Sequence, residues 1–215
     1  SFQGAHAVGR RPTVSPYYNA YNGSPARPVL ETECRYEGLR GYTDGDVRLV
    51  AYRAIQSGAC GYTYGAHGLW YPTQSSSDTL YWDVYGVSSP WWIAADLSGG
   101  AQMGYLRACY ESVNWWNLVP LPDAVTTSPA LSENQRILTK ADSTNTFVIY
   151  FPSGVAYNKT ATLSGARAST TYTTQWFNPR TGVVTTGPNV TSNSSGNCTL
   201  PNRPDSTDWI LIMRR

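Results

Sequence analysis

Apolar positions recur along this chain with two different periods. Val47, Val50, Ala51, Ala54 and Ile55 fall at helical spacing and predict a helix over about 46–57. Asp44 or Asp46 stands where its N-cap belongs, and Gly58 ends it. A second helix is expected over about 100–113, with Met103, Leu106, Tyr110 and Val113 on one face. Pro28–Glu33 and Cys60–Gly65 read as short strands, Ala66–Trp70 as the loop after the second, and a long loop with Trp82, Trp91 and Trp92 follows. Strand, helix, strand, helix is a β/α pattern, and such folds carry their chemistry at the C-terminal ends of the strands.

After residue 135 the period becomes two. Arg136–Thr139, Thr146–Phe151, Thr160–Leu163, Tyr172–Phe177, Gly182–Thr186 and Trp209–Met213 read as strands. Turn sequences such as Pro152-Ser-Gly154 and Asn178-Pro-Arg-Thr-Gly182 separate them. The expectation is an α/β part over residues 1–120, a linker over 121–135, and an antiparallel β-sandwich over 136–215. Pro120 and Pro122 stiffen the joint.

Composition narrows the function. Charged residues make up 14% of the 215, and the formal net charge is +2 with no basic cluster, so a nucleic-acid partner has no electrostatic footprint. No apolar run reaches the ~18 residues of a membrane span. Cys34, Cys60, Cys109 and Cys198 match no zinc spacing, and His6 and His67 are remote from any Cys pair. No metal and no cofactor is therefore expected. The cysteines read either as disulfides, with three possible connectivities, or as buried free thiols. Sequons at Asn22, Asn158, Asn189, Asn193 and Asn197, four of them in a stretch almost without charge, point to a secreted, extracellular glycoprotein. Pro25 follows the Asn22 sequon and makes it a poor acceptor, leaving Asn158, Asn189, Asn193 and Asn197 as the expected glycosylation sites.

Pro28-Val-Leu-Glu-Thr-Glu-Cys-Arg-Tyr-Glu-Gly38 resembles a Pro-Val-Leu-x-x-Glu-x-x-Tyr-Glu signature. Ala51-Tyr-Arg-Ala-Ile-Gln-Ser-Gly-Ala-Cys-Gly-Tyr-Thr-Tyr-Gly-Ala-His-Gly-Leu-Trp70 resembles Ala-Tyr-x-x-x-x-Ser-Gly-Ala-x-Gly-x-Thr-Tyr-Gly-x-His-Gly-x-Trp. Gly100–Leu106, Trp176-Phe-Asn-Pro-Arg-Thr-Gly182 and Asp208-Trp-Ile-Leu211 fit the same family. Together they resemble the apiosidase-like glycoside hydrolases, which carry a (β/α)8 TIM barrel followed by a β-sandwich labelled a collagen-binding domain. A full barrel takes about 250 residues. The resemblance therefore implies that residues 1–120 are the last two or three β/α units, and that the chain lacks the units holding the family's acid/base residue.

The resemblance also implies roles. Glu33 matches the nucleophile of a retaining hydrolase acting on a plant or extracellular polysaccharide. His6, Gln3, Glu37, Tyr64, His67 and Trp70 would contact the carbohydrate substrate, Tyr64 as a hydroxyl donor and Trp70 as a stacking face. Glu37 also reads as structural, and Glu31 as a neighbour supporting Glu33. Trp115-Trp116 reads as interdomain packing. Three β/α units leave strand edges open, so an N-terminal chain of the same precursor, or self-association, is the expected partner. The alternative is a non-catalytic, glycan-binding or structural extracellular protein of the same fold.

Overall fold

The computed structural model describes residues 3–6, 14–33, 35–69, 89–154 and 160–215, with residues 3–6, 14, 15 and 134 described through their backbone only. Its first part opens with β1 (Gln3–His6), α1 (Val14–Tyr21), β2 (Val29–Glu33) and β3 (Tyr36–Glu37), followed by α2 (Asp44–Gln56), β4 (Gly61–Tyr62) and β5 (Gly65–Ala66). A single helical turn at Trp91–Ala94 leads into α3 (Ser98–Glu111). β1, β2 and β4 form a parallel sheet with β2 central. β3 and β5 pair in parallel beyond the ends of β2 and β4.

The strand expected over Cys60–Gly65 is thus broken into β4 and β5. Helix α2 is capped by Thr43 rather than by an aspartate. The Asp46 carboxylate reaches back to accept from the Thr43 backbone N–H at 3.1 Å and from its hydroxyl at 3.0 Å. A helix start followed three residues on by an acid is stabilised in this way. Helix α3 begins and ends two residues before the expected bounds, and Val113 is buried in the turn beyond it.

The second part holds β6 (Val119–Pro120), β7 (Val125–Ser128), β8 (Leu138–Asp142), β9 (Thr146–Phe151), β10 (Thr160–Leu163), β11 (Thr171–Phe177), β12 (Val184–Thr191), β13 (Cys198–Thr199) and β14 (Trp209–Arg214). Six strands form one antiparallel sheet in the order β12-β11-β14-β9-β8-β6, and three form another in the order β13-β10-β7. Strand β7 lies inside the stretch read as a linker and pairs with β10. Strand β12 runs five residues past its expected end. It tolerates Pro188 because it is an edge strand, where a missing N–H costs no ladder bond.

The six-stranded sheet is the middle of three layers. Phe147, Ile149, Phe151, Leu211 and Met213 face the small sheet, packing with Leu163, Ala161 and Leu200. The alternate residues Val148, Tyr150, Ile210 and Ile212 face α2 and α3, packing with Leu49, Tyr52, Tyr110 and Val113. The helices therefore cover a face that an isolated sandwich would leave wet. Buried polar ties fix this packing. Arg48 of α2 donates to both oxygens of Asp208, at 2.7 and 2.9 Å, and to Gln102 of α3 at 2.6 Å. Gln56 donates to the Val148 carbonyl at 3.1 Å. Gly182, at φ +73°, sits where a Cβ would lie 2.8 Å from the Tyr105 ring of α3, so the Asn178–Gly182 turn docks on that helix.

Trp115 and Trp116 are not buried between the two parts. They are 40% and 67% exposed, edge to face against each other at 6.2 Å. Val113 and Leu118 take the buried positions instead. Cys60, Cys109 and Cys198 are free thiols, two of them buried; Cys34 lies outside the described residues.

Candidate functional site

The C-terminal end of the parallel sheet gathers most of the residues expected to act. His6 closes β1 and Glu33 closes β2, and the two are register partners past an irregularity after Ala5. Gln3 lies at the other end of β1, paired with Val29. Glu33 is half-buried, and its Oε1 accepts from the Tyr36 hydroxyl at 2.9 Å. Burial and the adjacent Glu33 carboxylate push the Tyr36 phenol up to about 12, so it stays protonated and donating across the neutral range. Two residues upstream, the fully buried Glu31 accepts from the Tyr17 hydroxyl, and its other oxygen accepts from the Glu33 backbone N–H at 3.2 Å. The two carboxylates share one side of the strand, as alternation requires. One is locked inward and holds the backbone that carries the other.

Glu37 is buried, and its Oε2 accepts from the Tyr64 hydroxyl at 2.6 Å and from the Gly99 N–H at 3.0 Å. It thus serves the exposed amide end of α3, where an anion is favoured. A Cβ at residue 99 would lie 2.2 Å from that oxygen, which is why glycine stands there. Burial and Glu37 push the Tyr64 phenol above its ordinary value, keeping it a donor. His67 is buried, its backbone N–H donates to the Glu37 carbonyl at 2.8 Å, and burial holds its imidazole below the ordinary histidine range. It is therefore neutral at pH 7. Trp70, like Asn158, lies outside the described residues.

Two participants carried no expected role. Tyr36 lies within the Glu-x-x-Tyr-Glu string, three residues after Glu33, and that spacing was the available signal. Tyr17 left no signal, because only the packing of α1 brings it to Glu31. Trp91 and Trp92 stand half exposed, edge to face at 5.8 Å, in a turn that abuts the loop after His67. A Cβ on Gly68 would lie 3.1 Å from Ala94. Asn189, Asn193 and Asn197 are exposed on the far sheet-rich part. Among the described residues no group of three or more His, Cys, Asp or Glu is placed to hold a metal ion, and no helix is long and apolar enough to cross a membrane.

This geometry resembles solved structures. One described as "Glycoside hydrolase" is 19% identical with a TM-score of 0.72, matching 94% of this chain and 46% of its own. A glycoside hydrolase family 5 structure from Bacteroides vulgatus ATCC 8482 is also 19% identical with a TM-score of 0.69, over 90% of this chain and 42% of its own. The chain thus spans less than half the length of these structures, and at this identity the likeness is one of fold. No curated protein matches the sequence. Residues 119–214 match the family model "Putative collagen-binding domain of a collagenase". Residues 1–117 match "Apiosidase-like, catalytic domain". That match spans more than half of the chain, so the protein belongs to the apiosidase-like family.

Proposed function

We propose that this chain is the C-terminal part of a secreted glycoside hydrolase that cleaves a plant or extracellular polysaccharide with retention, using Glu33 as nucleophile. In this reading residues 1–120 are the last two or three units of a (β/α)8 barrel, 121–135 a connection, and 136–215 a β-sandwich. The observation that carries it is the position of Glu33. It ends the central parallel strand, half open, with a protonated Tyr36 hydroxyl orienting its carboxylate. Such a carboxylate attacks the anomeric carbon as the glycosidic C–O bond breaks and the leaving oxygen takes a proton from the acid/base carboxyl. Water then hydrolyses the resulting glycosyl ester and returns a proton to that carboxyl. His6, Gln3, His67, Tyr64 and Trp70 would bind the sugar, and Glu37 would hold Tyr64 in place. Asn158, Asn189, Asn193 and Asn197 would carry glycans.

Retention needs a second carboxyl about 5–5.5 Å from the first. Glu31 and Glu37 are engaged in internal hydrogen bonds, so the acid/base group would come from elsewhere. An N-terminal chain of the same precursor would supply it along with the first five strands. Alternatively, copies of this chain would cover one another's strand edges. The same commitment of Glu31 and Glu37 favours a second reading, a non-catalytic glycan-binding or structural protein of the same fold.

The test is reducing-sugar release from a panel of plant polysaccharides by the purified protein with any polypeptide that accompanies it. The catalytic reading expects release that Glu33→Gln abolishes while the circular-dichroism spectrum is unchanged. Equal turnover in the variant overturns the nucleophile assignment. Polysaccharide binding without release by the wild type selects the second reading.

A further inference from the structure

Strand β2 carries one residue more than its partner β1. Along the ladder Gln3, Gly4 and Ala5 face Val29, Leu30 and Glu31, and then His6 faces Glu33. Thr32 is passed over, which makes it the extra residue of a bulge. A bulge bends its strand, and so decides where the next side chain leaves the sheet. That next residue is Glu33. Its N–H donates at 3.2 Å to the Glu31 carboxylate, on the other side of the bulge. The second Glu31 oxygen accepts from the Tyr17 hydroxyl of α1.

Both partners are out of solvent, Glu31 fully and Tyr17 with 1% exposed. The layer around them is apolar: Tyr17 packs with Val29, Ala54 and Ala59, and Ala20 and Ile55 close it. The last residue of α1, Tyr21, lies against Gly58 beyond the end of α2, where a Cβ would come within 2.6 Å of the Tyr21 Cβ. A helix wedged between β2 and α2 thus delivers the Tyr17 hydroxyl. Burying a carboxylate in such a layer costs free energy that a leucine would not. Stability therefore does not call for an acid at position 31, and what the acid supplies is the bond across the bulge. We propose that Glu31 and Tyr17 are positioning residues which, on the reading of Glu33 as nucleophile, hold the bulge at Thr32 and thereby aim the Glu33 carboxylate. Acting through Glu33 rather than on the sugar, they govern turnover more than affinity.

Hydrolysis kinetics of the purified protein with any polypeptide that accompanies it, and amide hydrogen exchange at Glu33 read by nuclear magnetic resonance, test this. Glu31→Leu removes the acceptor and fits the apolar layer, so the circular-dichroism spectrum is unchanged. Its Glu33 amide exchanges about ten-fold faster. Its kcat falls about ten- to a hundred-fold, with KM within about two-fold of wild type. Glu31→Gln keeps an oxygen for the Glu33 amide and restores most of both. Tyr17→Phe leaves the carboxylate free to swing and falls between the two. Val29→Ala loosens the same layer without touching these bonds, so it lowers the melting temperature and leaves kcat and Glu33 exchange as in the wild type. Unchanged Glu33 exchange or unchanged kcat in Glu31→Leu overturns the proposal, as does an equal loss of kcat in Val29→Ala. Failure of the nucleophile reading shows separately, as full turnover in Glu33→Gln or none in the wild type. The exchange measurement then decides alone whether Glu31 holds the bulge.

Discussion

Arg48→Met should destabilise the protein by about 3–5 kcal/mol, the cost of breaking a buried ion pair from one side. Arg48 is 5% exposed and Asp208 2%, and the guanidinium meets the carboxylate with two hydrogen bonds at 2.7 and 2.9 Å. After the substitution Asp208 keeps the Tyr150 hydroxyl at 3.4 Å, a weak replacement for two charge-assisted bonds. Gln102 also loses its Arg48 donor at 2.6 Å. Against a typical total of about 5–15 kcal/mol this is a large fraction, and at this chain length it corresponds to a Tm loss of roughly 6–20 °C. The assay is urea denaturation followed by tryptophan fluorescence and far-ultraviolet circular dichroism, run as a double-mutant cycle. Asp208→Asn alone should cost less than Arg48→Met. The double variant should be more stable than the sum of the singles predicts, by about 1–3 kcal/mol, because no buried charge is then left unpaired. A loss below about 1 kcal/mol for Arg48→Met, or strict additivity, would refute the claim that this pair fastens α2 to β14.

Lys140→Met acts in the opposite direction. The Lys140 amine is held at about 8 in the folded chain against 10.5 in its absence, so the unfolded chain binds the extra proton between these values. The variant should therefore exceed the wild type by up to about 3 kcal/mol at pH 7, and the gap should close as pH rises through 8 towards 10.5; a pH-independent gap sinks the argument. Glu37→Ala removes the acceptor of Tyr64 and of the Gly99 amide and should cost about 1–3 kcal/mol in thermal unfolding, whereas an unchanged melt would deny it any hold on α3. Gly182→Ala should cost about 1–3 kcal/mol, because it places a Cβ at φ +73° and 2.8 Å from Tyr105; a wild-type Tm would contradict that docking. Enzymatic removal of N-glycans from the protein expressed through a eukaryotic secretory pathway should lower its mass through Asn189, Asn193 or Asn197; an unchanged mass argues against glycosylation.

Local pattern was enough to locate several elements. Thr146–Phe151 and Thr160–Leu163 begin and end where alternation places them, because strand alternation is a property of adjacent residues. Val29–Glu33 was legible from its apolar start and acidic end, and the strings around Glu33 and His67 marked the family. β8 was displaced by two residues and lengthened, since Lys140 and Asp142 disguise a buried strand as polar. A two-sheet sandwich leaves the outer face of each sheet wet, yet the larger sheet is covered on both faces. Nothing in Val148, Tyr150, Ile210 and Ile212 taken alone says that α2 and α3 will cover them.

The site divides in the same way. Position along a β/α unit marked Glu33 as the end of a strand, and the family resemblance marked His6 and His67 as its neighbours. The sequence left open whether Glu37 meets a ligand or the protein. That depended on α3, whose first amides arrive from more than sixty residues away and claim the carboxylate. It left Tyr17 silent, because a hydroxyl on α1 acquires a role only when the helix packs against Glu31. Trp115 and Trp116 looked like interface residues by composition, yet the turn after α3 buries Val113 and Leu118 and leaves Trp116 two-thirds exposed and Trp115 only partly covered. Periodicity reports which neighbours along the chain share a face. Which distant groups compete for that face, and which polar atoms they satisfy there, is decided only when the layers close.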